Sequence, residues 1–230
     1  MTRLEIDPFA LLAMPDLADE ELFDAIDDAL RRFDPDNAAP LIALLESEDE
    51  YARGRGLHVF CQLGRKGFVA LDSALKSIGD PSVYARSHLM DGALCGRELR
   101  PDQACQILPL VTDKAEIVRG KVITFIACAQ LETLETAIAL IDEPQRRDHI
   151  EGFQCLLKRP ENIQALFDAA ILNADVQSSY ALASIKRLAR EGAITSPPVY
   201  DGDGYVPRGV IHFVNMWITR RMRRRSTGLE

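Results

Sequence analysis

Hydrophobic residues recur at spacings of three and four along most of the chain before residue 195, as they do on amphipathic helices. Runs that alternate between apolar and polar residues, typical of strands, are almost absent there. The pattern therefore predicts an all-α protein. The shorter predicted helices are Ala39–Leu45, Phe68–Ile78, Gln103–Val111, Leu134–Ile141 and Ile163–Leu172, and the longer ones lie near residues 50–63, 82–95, 115–130, 145–158 and 175–190.

An acidic helix is predicted ahead of these segments, directly after Pro15. Asp16 is expected to cap this helix, because a short oxygen-bearing side chain can accept the first free backbone N–H groups. The helix should end near Asp34-Pro35, since the residue before a proline is pushed out of the helical region. Residues 1–35 are interpreted as an acidic N-terminal capping segment. Its predicted apolar stripe consists of Leu22, Ile26, Ala29, Leu30 and Phe33.

The longer helical segments share an internal repeat. Ala52-Arg53-Gly54-Arg55 aligns with Ala85-Arg86-Ser87-His88 and with Val118-Arg119-Gly120-Lys121. Two further units, anchored at residues 147 and 177, follow the pattern less closely. A period near 30 residues that is built from two helices is typical of a solenoid, in which each helix pair buries its apolar face on its neighbours.

The repeat resembles the HEAT-like repeat in the pattern of an Asp followed six residues later by an Arg. Asp80…Ala85-Arg86 and Asp113…Val118-Arg119 carry the resemblance, which covers about residues 36–192. It implies a right-handed α-solenoid of about five two-helix HEAT-like repeats with capping helices at both ends. It also implies a structural role for the repeated arginines, Arg53, Arg86 and Arg119, as bridges to the Asp residues. The fourth and fifth units depart from the motif and rest on periodicity.

The pattern changes after Gly192. Residues 193–207 are rich in Pro, Gly and Asp and are predicted to form a loop or short hairpin. Residues 208–230 are predicted to form a C-terminal capping helix with an Arg-rich tail at Arg220–Arg225. A solenoid must cover the apolar faces at its two ends, so this helix and the acidic first helix are interpreted as caps.

Charge is distributed unevenly. Residues 1–50 contain 15 acidic and 3 basic side chains, and the formal net charge of the whole chain is -8. An acidic surface attracts a basic protein partner, although it can also serve solubility alone. The same charge makes nucleic acid an unlikely partner, because affinity for phosphate depends on Lys and Arg.

The apolar stretches and the cysteines of the sequence indicate the cellular compartment and whether a cofactor is expected. No apolar stretch approaches the roughly 20 residues that cross a bilayer, so no membrane role is expected. The five cysteines lack paired spacing, which favours a cytoplasmic protein without disulfides. Four of them recur at one place in the repeat and are interpreted as core residues: Cys61, Cys95, Cys128 and Cys155. Successive units lie about 10 Å apart, too far for shared metal ligands, so no metal or cofactor is predicted.

Two sets of residues are candidates for binding a partner. Positions two and five after each anchor share one side of the second helix and are expected to line a solvated concave surface. This first set is Arg55, His58, His88, Asp91, Lys121 and His149. Its histidines can also be unconnected surface side chains. The second set, on the acidic first helix, is Asp24, Asp27 and Asp28, which equally suit a soluble cap.

Three function classes compete, and protein binding is preferred. The specific hypothesis is an immunity or inhibitor protein that neutralises a basic partner such as a bacterial toxin, by analogy of shape and charge. The alternative is a HEAT-like enzyme, similar to alkylpurine DNA glycosylases or bilin lyases. No catalytic residue is assigned, because the spacing shows no nucleophile–base pair and no Gly-rich phosphate loop. A nucleic-acid adaptor that uses the Arg-rich tail is disfavoured by the total charge.

Overall fold

A computed structural model of the protein describes residues 6–95, 99–158, 163–172 and 175–194. Within these ranges every regular element is a helix and none is a strand, which confirms the all-α prediction. The chain divides into two compact units, Met1–Ile107 and Leu108–Glu230. The predicted C-terminal capping helix and all but the first two residues of the predicted loop or hairpin lie outside the described residues.

The first unit is built from seven α-helices among its described residues, with 3₁₀ turns between some of them. The helices are α1 (Pro8–Leu12), α2 (Asp19–Arg32), α3 (Ala39–Leu45), α4 (Glu50–Leu63), α5 (Leu71–Leu75), α6 (Val83–Cys95) and α7 (Pro101–Ile107). Helix α4 packs against both α3 and α6, and α1 packs against α2. The core between them holds fully buried side chains such as Leu41, Leu57, Phe60 and Leu89.

The second unit centres on its longest described helix. Its helices are α8 (Glu116–Cys128), α9 (Leu131–Ala139), α10 (Gln145–Leu156), α11 (Ile163–Leu172) and α12 (Val176–Glu191). Helix α12 packs against α8, α10 and α11. It contributes Tyr180 and Ile185 to the core, and both are fully buried, as are Val122 and Ile126 of α8.

Helix ends follow the local sequence in most places. The Asp49 carboxylate accepts a hydrogen bond from the backbone N–H of Ala52 at 2.8 Å and so caps α4. Gly192 ends α12 with φ at 74°, a left-handed conformation that glycine adopts without a Cβ clash. Helix α2 ends at Arg32, as the proline rule predicts, but the predicted cap is wrong. Asp16 lies too early, because α2 begins at Asp19.

Two predicted helices are shorter than expected. The segment predicted as Phe68–Ile78 contains only α5 as an α-helix, and 3₁₀ turns at Gly64–Ala70 and Lys76–Gly79 flank it. The segment predicted as Gln103–Val111 is α7 followed by a 3₁₀ turn at Leu108–Thr112. Pro109 explains the second departure, since its ring nitrogen has no hydrogen to continue the α-helical ladder.

The three repeated arginines make the same contacts at the starts of three helices. Nη1 of Arg53, Arg86 and Arg119 donates to the carbonyl oxygen six residues earlier at 2.8, 2.5 and 2.6 Å, respectively. The same atom also donates to the carbonyl five residues earlier at 3.0–3.3 Å. In addition, Nε of Arg53 donates to Oδ2 of Asp80 at 2.7 Å. These contacts hold the turn before each helix and give the three arginines a structural role, while the predicted bridge to an Asp side chain is seen for Arg53.

The interpretation of the repeated cysteines as core residues is wrong for two of them. Cys155 is buried and Cys61 is half-buried, but Cys95 and Cys128 are exposed. The exposed pair are the last residues of α6 and α8, where the side chain has passed beyond the packed stripe of its helix. The four cysteines therefore occupy equivalent positions in the repeat but differ in their exposure to solvent.

Candidate functional site

An acidic groove runs along α2 in the first unit. Its volume is about 740 Å³, and it lies between α2 and the residues of α1 and the following segment. We define the acidic groove by its lining residues: Ile6, Leu11, Met14, Pro15, Asp16, Leu17, Glu21, Asp24, Ala25, Asp27, Asp28 and Arg31. All three acidic residues predicted on the first helix thus line one concave surface.

The electrostatics of the groove are strongly negative, because carboxylates outnumber cations in its lining by five to one. Asp24 and Asp27 are exposed, and Asp28 is half-buried. Asp28 forms ion pairs with Nη2 of Arg31 at 2.5 Å and of Arg32 at 3.7 Å. These pairs leave an excess of negative charge in the groove at neutral pH.

The opposite wall of the groove is mainly apolar, with Asp16 as its charged residue, and Arg55 holds this wall in place. Its guanidinium donates to the carbonyl oxygens of Leu12 at 3.2 Å and Pro15 at 3.3 Å, and also to that of Met14. Met14 and Pro15 line the groove. The direct partner-binding role predicted for Arg55 stays a prediction, while its contacts here shape the apolar wall.

Two of the predicted histidines meet between α4 and α6. The ring centroids of His58 and His88 are 4.9 Å apart in an edge-to-face arrangement. Sγ of Cys61 lies 3.6 Å from Nδ1 of His88. We call these three residues the histidine–cysteine cluster. The alternative of separate, unconnected imidazoles is therefore wrong for His58 and His88.

Two further predicted partner-binding residues, Asp91 and Lys121, are half-buried. Asp91 lies on α6 of the first unit and Lys121 on α8 of the second. Within the described ranges, no group of three or more His, Cys, Asp or Glu is arranged to hold a metal ion. The partner-binding roles of Asp91 and Lys121 stay predictions.

His149 does not lie on a solvated surface, so that prediction is wrong. Its side chain is only 2% exposed, and its Nδ1 lies 3.1 Å from the hydroxyl oxygen of Tyr180, which is fully buried. Gly152 makes this burial possible, since a Cβ at that position would lie 2.7 Å from the Tyr180 ring. The corresponding positions on α4, α6 and α8 are half-buried, whereas on α10 they are covered by α12.

Burial gives His149 an expected signature in acid. Desolvation lowers the pKa of His149 to about 4, although the nearby Asp148 carboxylate raises it in part. Burial also raises the pKa of Tyr180. The unfolded chain binds a proton at His149 below pH 6.5, whereas the folded chain does not until about pH 4. Stability present above pH 6.5 is therefore lost as the pH falls towards 4, by about 3 kcal/mol in total.

Urea unfolding of the wild type and of His149→Asn at pH 7, 5.5 and 4.5 measures this effect. The variant is expected to be less stable at pH 7, because it loses packing and a buried polar contact. Its stability should nevertheless fall less steeply with acid. Parallel pH dependences of the two proteins would show that His149 is not the titrating group.

Two kinds of potential interaction residues were not predicted. Tyr51 and Tyr84 are 62% and 80% exposed and lie two residues before the anchors Arg53 and Arg86. Extending the alignment of the repeats by one residue towards the N-terminus would have revealed them. In the second unit, Nζ of Lys186 donates to Oγ1 of Thr124 at 2.9 Å, and burial lowers the pKa of Lys186. No sequence signal marks Lys186, because its burial depends on packing between α8 and α12.

The described part of the chain thus defines an all-helical protein with an acidic groove in its first unit. None of the described helices is by itself both long and apolar enough to cross a membrane, and the one pair that passes together, α8 with α9, is bent by 119°. Comparisons with protein-family models, curated proteins and solved structures found no match.

Proposed function

We propose that this protein is a HEAT-like α-solenoid that binds another protein through a basic segment of that partner. The repeated contacts of Arg53, Arg86 and Arg119 support the repeat architecture, since three helix starts are built in one way. The more specific hypothesis is an immunity or inhibitor role, in which the protein neutralises a basic toxin. The acidic groove is the observation that carries the proposal.

The groove combines the two features that a basic segment requires. Its acidic wall carries Asp24, Asp27 and Asp28, which can pair with Lys or Arg. Its apolar wall, which includes Met14 and Leu17, can cover the aliphatic stems of the same side chains. A purely acidic surface would attract a cation without fixing its position, whereas the two walls together favour an amphipathic partner.

An exposed aromatic residue adds a contact beside the groove. Phe23 is 68% exposed on α2, and Asp27 lies one turn further along the same helix. Cations are attracted to the face of an aromatic ring, and nearby carboxylates reinforce that attraction.

The carboxylates of the groove are expected to carry the affinity for a basic partner. The probe is a synthetic helical peptide with Lys and Leu at three- and four-residue spacing, and its comparison peptide carries Glu in place of Lys. Calorimetric titration should detect binding of the basic peptide alone, and the affinity should fall steeply with salt. The triple variant Asp24→Asn, Asp27→Asn and Asp28→Asn should weaken binding about tenfold, because each exposed pair contributes roughly 0.2–1 kcal/mol.

The matched control removes the same number of charges elsewhere. Glu132→Gln, Glu135→Gln and Asp142→Asn change exposed carboxylates on or beside α9. This variant should bind the basic peptide almost as well as the wild type. Equal weakening by both triple variants, or affinity that ignores salt, would contradict binding in the groove. The immunity hypothesis has a further test, which is protection of cells against a toxin encoded by a neighbouring gene.

A further inference from the structure

The histidine–cysteine cluster has the composition of a reactive thiol site. Sγ of Cys61 lies 3.6 Å from Nδ1 of His88 and 3.1 Å from the backbone carbonyl oxygen of His58. All three side chains are half-buried, so they are partly shielded from solvent yet reachable by small molecules. The thiol and the imidazole come from two different helices, α4 and α6, which pack directly against each other.

We propose that Cys61 is a modification site for small soft electrophiles, hydroperoxides in particular, and that His88 takes up the proton of its thiol. The nucleophile of a cysteine is the thiolate, and an imidazole in contact with the sulfur stabilises that form as an ion pair. This inference is independent of the groove and of the proposed partner.

His58 acts on this pair as a positioning residue. Its ring meets the ring of His88 edge to face at an interplanar angle of 78°. Such contacts restrict rotation of the imidazole, so they keep Nδ1 of His88 directed towards the sulfur. His58 therefore does not need to contact the electrophile.

The other cysteines offer a built-in comparison. Cys95 and Cys128 are more exposed than Cys61 and would react first if access alone decided. Burial raises the pKa of Cys155, which disfavours its thiolate. If exposure decides reactivity, Cys95 and Cys128 react before Cys61, whereas if the imidazole contact decides it, Cys61 reacts first. The order in which the cysteines react therefore distinguishes the two explanations.

The proposed step with a hydroperoxide is balanced by the residues of the cluster. The Cys61 thiolate attacks the terminal, hydrogen-bearing oxygen of the hydroperoxide, so that an S–O bond forms and the O–O bond breaks. The leaving alkoxide takes the proton that the His88 imidazolium holds. The products are the Cys61 sulfenic acid and an alcohol, or water when hydrogen peroxide is the oxidant. Sulfur loses two electrons and the peroxide gains them.

The test uses the full chain at pH 7 with limiting iodoacetamide, and mass spectrometry follows the labelling of each cysteine. A free thiol is only a few per cent thiolate at this pH, so pairing with an imidazolium can raise the thiolate fraction strongly. A thiolate stabilised in this way is also a weaker nucleophile, which offsets part of the increase in rate. Cys61 should therefore react roughly tenfold faster than Cys95 and Cys128. With hydrogen peroxide, a dimedone adduct should form at Cys61 first.

The control variants separate the imidazole contact from exposure. His88→Gln keeps a polar side chain of similar size but cannot take up the proton, so labelling at Cys61 should slow about tenfold while Cys95 is unaffected. His58→Gln should have a smaller effect of the same sign. In urea the five cysteines should react at similar rates, which keeps the test valid if His88→Gln fails to fold. Slower labelling of Cys61 than of Cys95 and Cys128, or unchanged labelling in a folded His88→Gln variant, would overturn the proposal.

Discussion

Replacing Asp80 with alanine is expected to lower the free energy of unfolding of the first unit by about 3–5 kcal/mol. The Asp80 side chain is only 3% exposed, and its Oδ2 accepts from Nε of Arg53 at 2.7 Å. Its Oδ1 accepts from the backbone N–H of Ser82 at 2.8 Å. The change leaves the Arg53 guanidinium, which is 20% exposed, without its carboxylate and removes an acceptor from the start of α6.

Asp72 provides the matched control. It also pairs with an arginine of its own unit, Arg100, with a distance of 3.0 Å from Nη2 to Oδ1. Both of these side chains are more than half exposed, so water and salt replace most of their attraction. Asp72→Ala should therefore have a much smaller effect than Asp80→Ala. Urea unfolding followed by circular dichroism, with amide hydrogen exchange of α4 and α6, measures both. Equal losses in the two variants would show that the buried pair has no special weight.

The positions of most helices were predictable because they are fixed by local chemistry. The bounds of α3 and α11 agree with those expected from apolar spacing, and the longer helices α4, α6, α8, α10 and α12 lie where the anchors placed them. Arg53 was given a structural role because its place in the repeat resembles that of the HEAT-like arginine, and in the structure its guanidinium donates to the turn before α4. These features depend on residues near one another in the chain.

The burial of individual side chains was less predictable. His149 is polar and occupies the same position in its unit as His88, yet it is buried because Tyr180, 31 residues later, closes over it. The acidic groove needed the fold as well. Asp24 and Asp27 were expected to share a helix face, but nothing local indicated that Met14 would form the opposite wall. Contacts between distant segments decide both cases.

The contact between His58 and His88 depends on how α4 and α6 pack. Side chains on the facing sides of two packed helices touch when the helix axes lie about 10 Å apart, so the distance expected between neighbouring units does not separate these imidazoles. Gly92 of α6 lies directly against the ring of Phe60 of α4, and a Cβ at Gly92 would be 2.1 Å from Cε1 of that ring. Spacing in the sequence alone could not show which side chains of the two helices meet.

Replacing Gly92 with alanine is therefore expected to destabilise the first unit by up to about 2 kcal/mol. Phe60 is fully buried, so its ring has no free space into which it could move away from the new methyl group. Overpacking of this kind costs roughly 1–3 kcal/mol and occasionally more, and the higher helix propensity of alanine returns only about 1 kcal/mol. Urea unfolding measures the net change.

The same substitution at Gly54 should have the opposite sign. Gly54 also lies within a helix, α4, but apart from its chain neighbours and the backbone of its own helix, no heavy atom would lie within 4 Å of a Cβ there. Gly54→Ala should stabilise the protein by about 0.5–1 kcal/mol, since only the propensity term remains. If both alanines stabilised the protein, the close packing of Gly92 on Phe60 would be contradicted.

A second substitution at Phe60 tests whether the ring itself is the cause. Phe60→Leu alone should destabilise the protein, because it leaves part of the core unfilled. In the double variant with Gly92→Ala, the smaller side chain gives the new methyl group space. The destabilisation of the double variant should then be smaller than the sum of the two single destabilisations by about 1 kcal/mol or more. A difference of this size is usual for residues in contact. Strict additivity would place the strain of Gly92→Ala elsewhere, because substitutions that do not share a contact do not compensate one another.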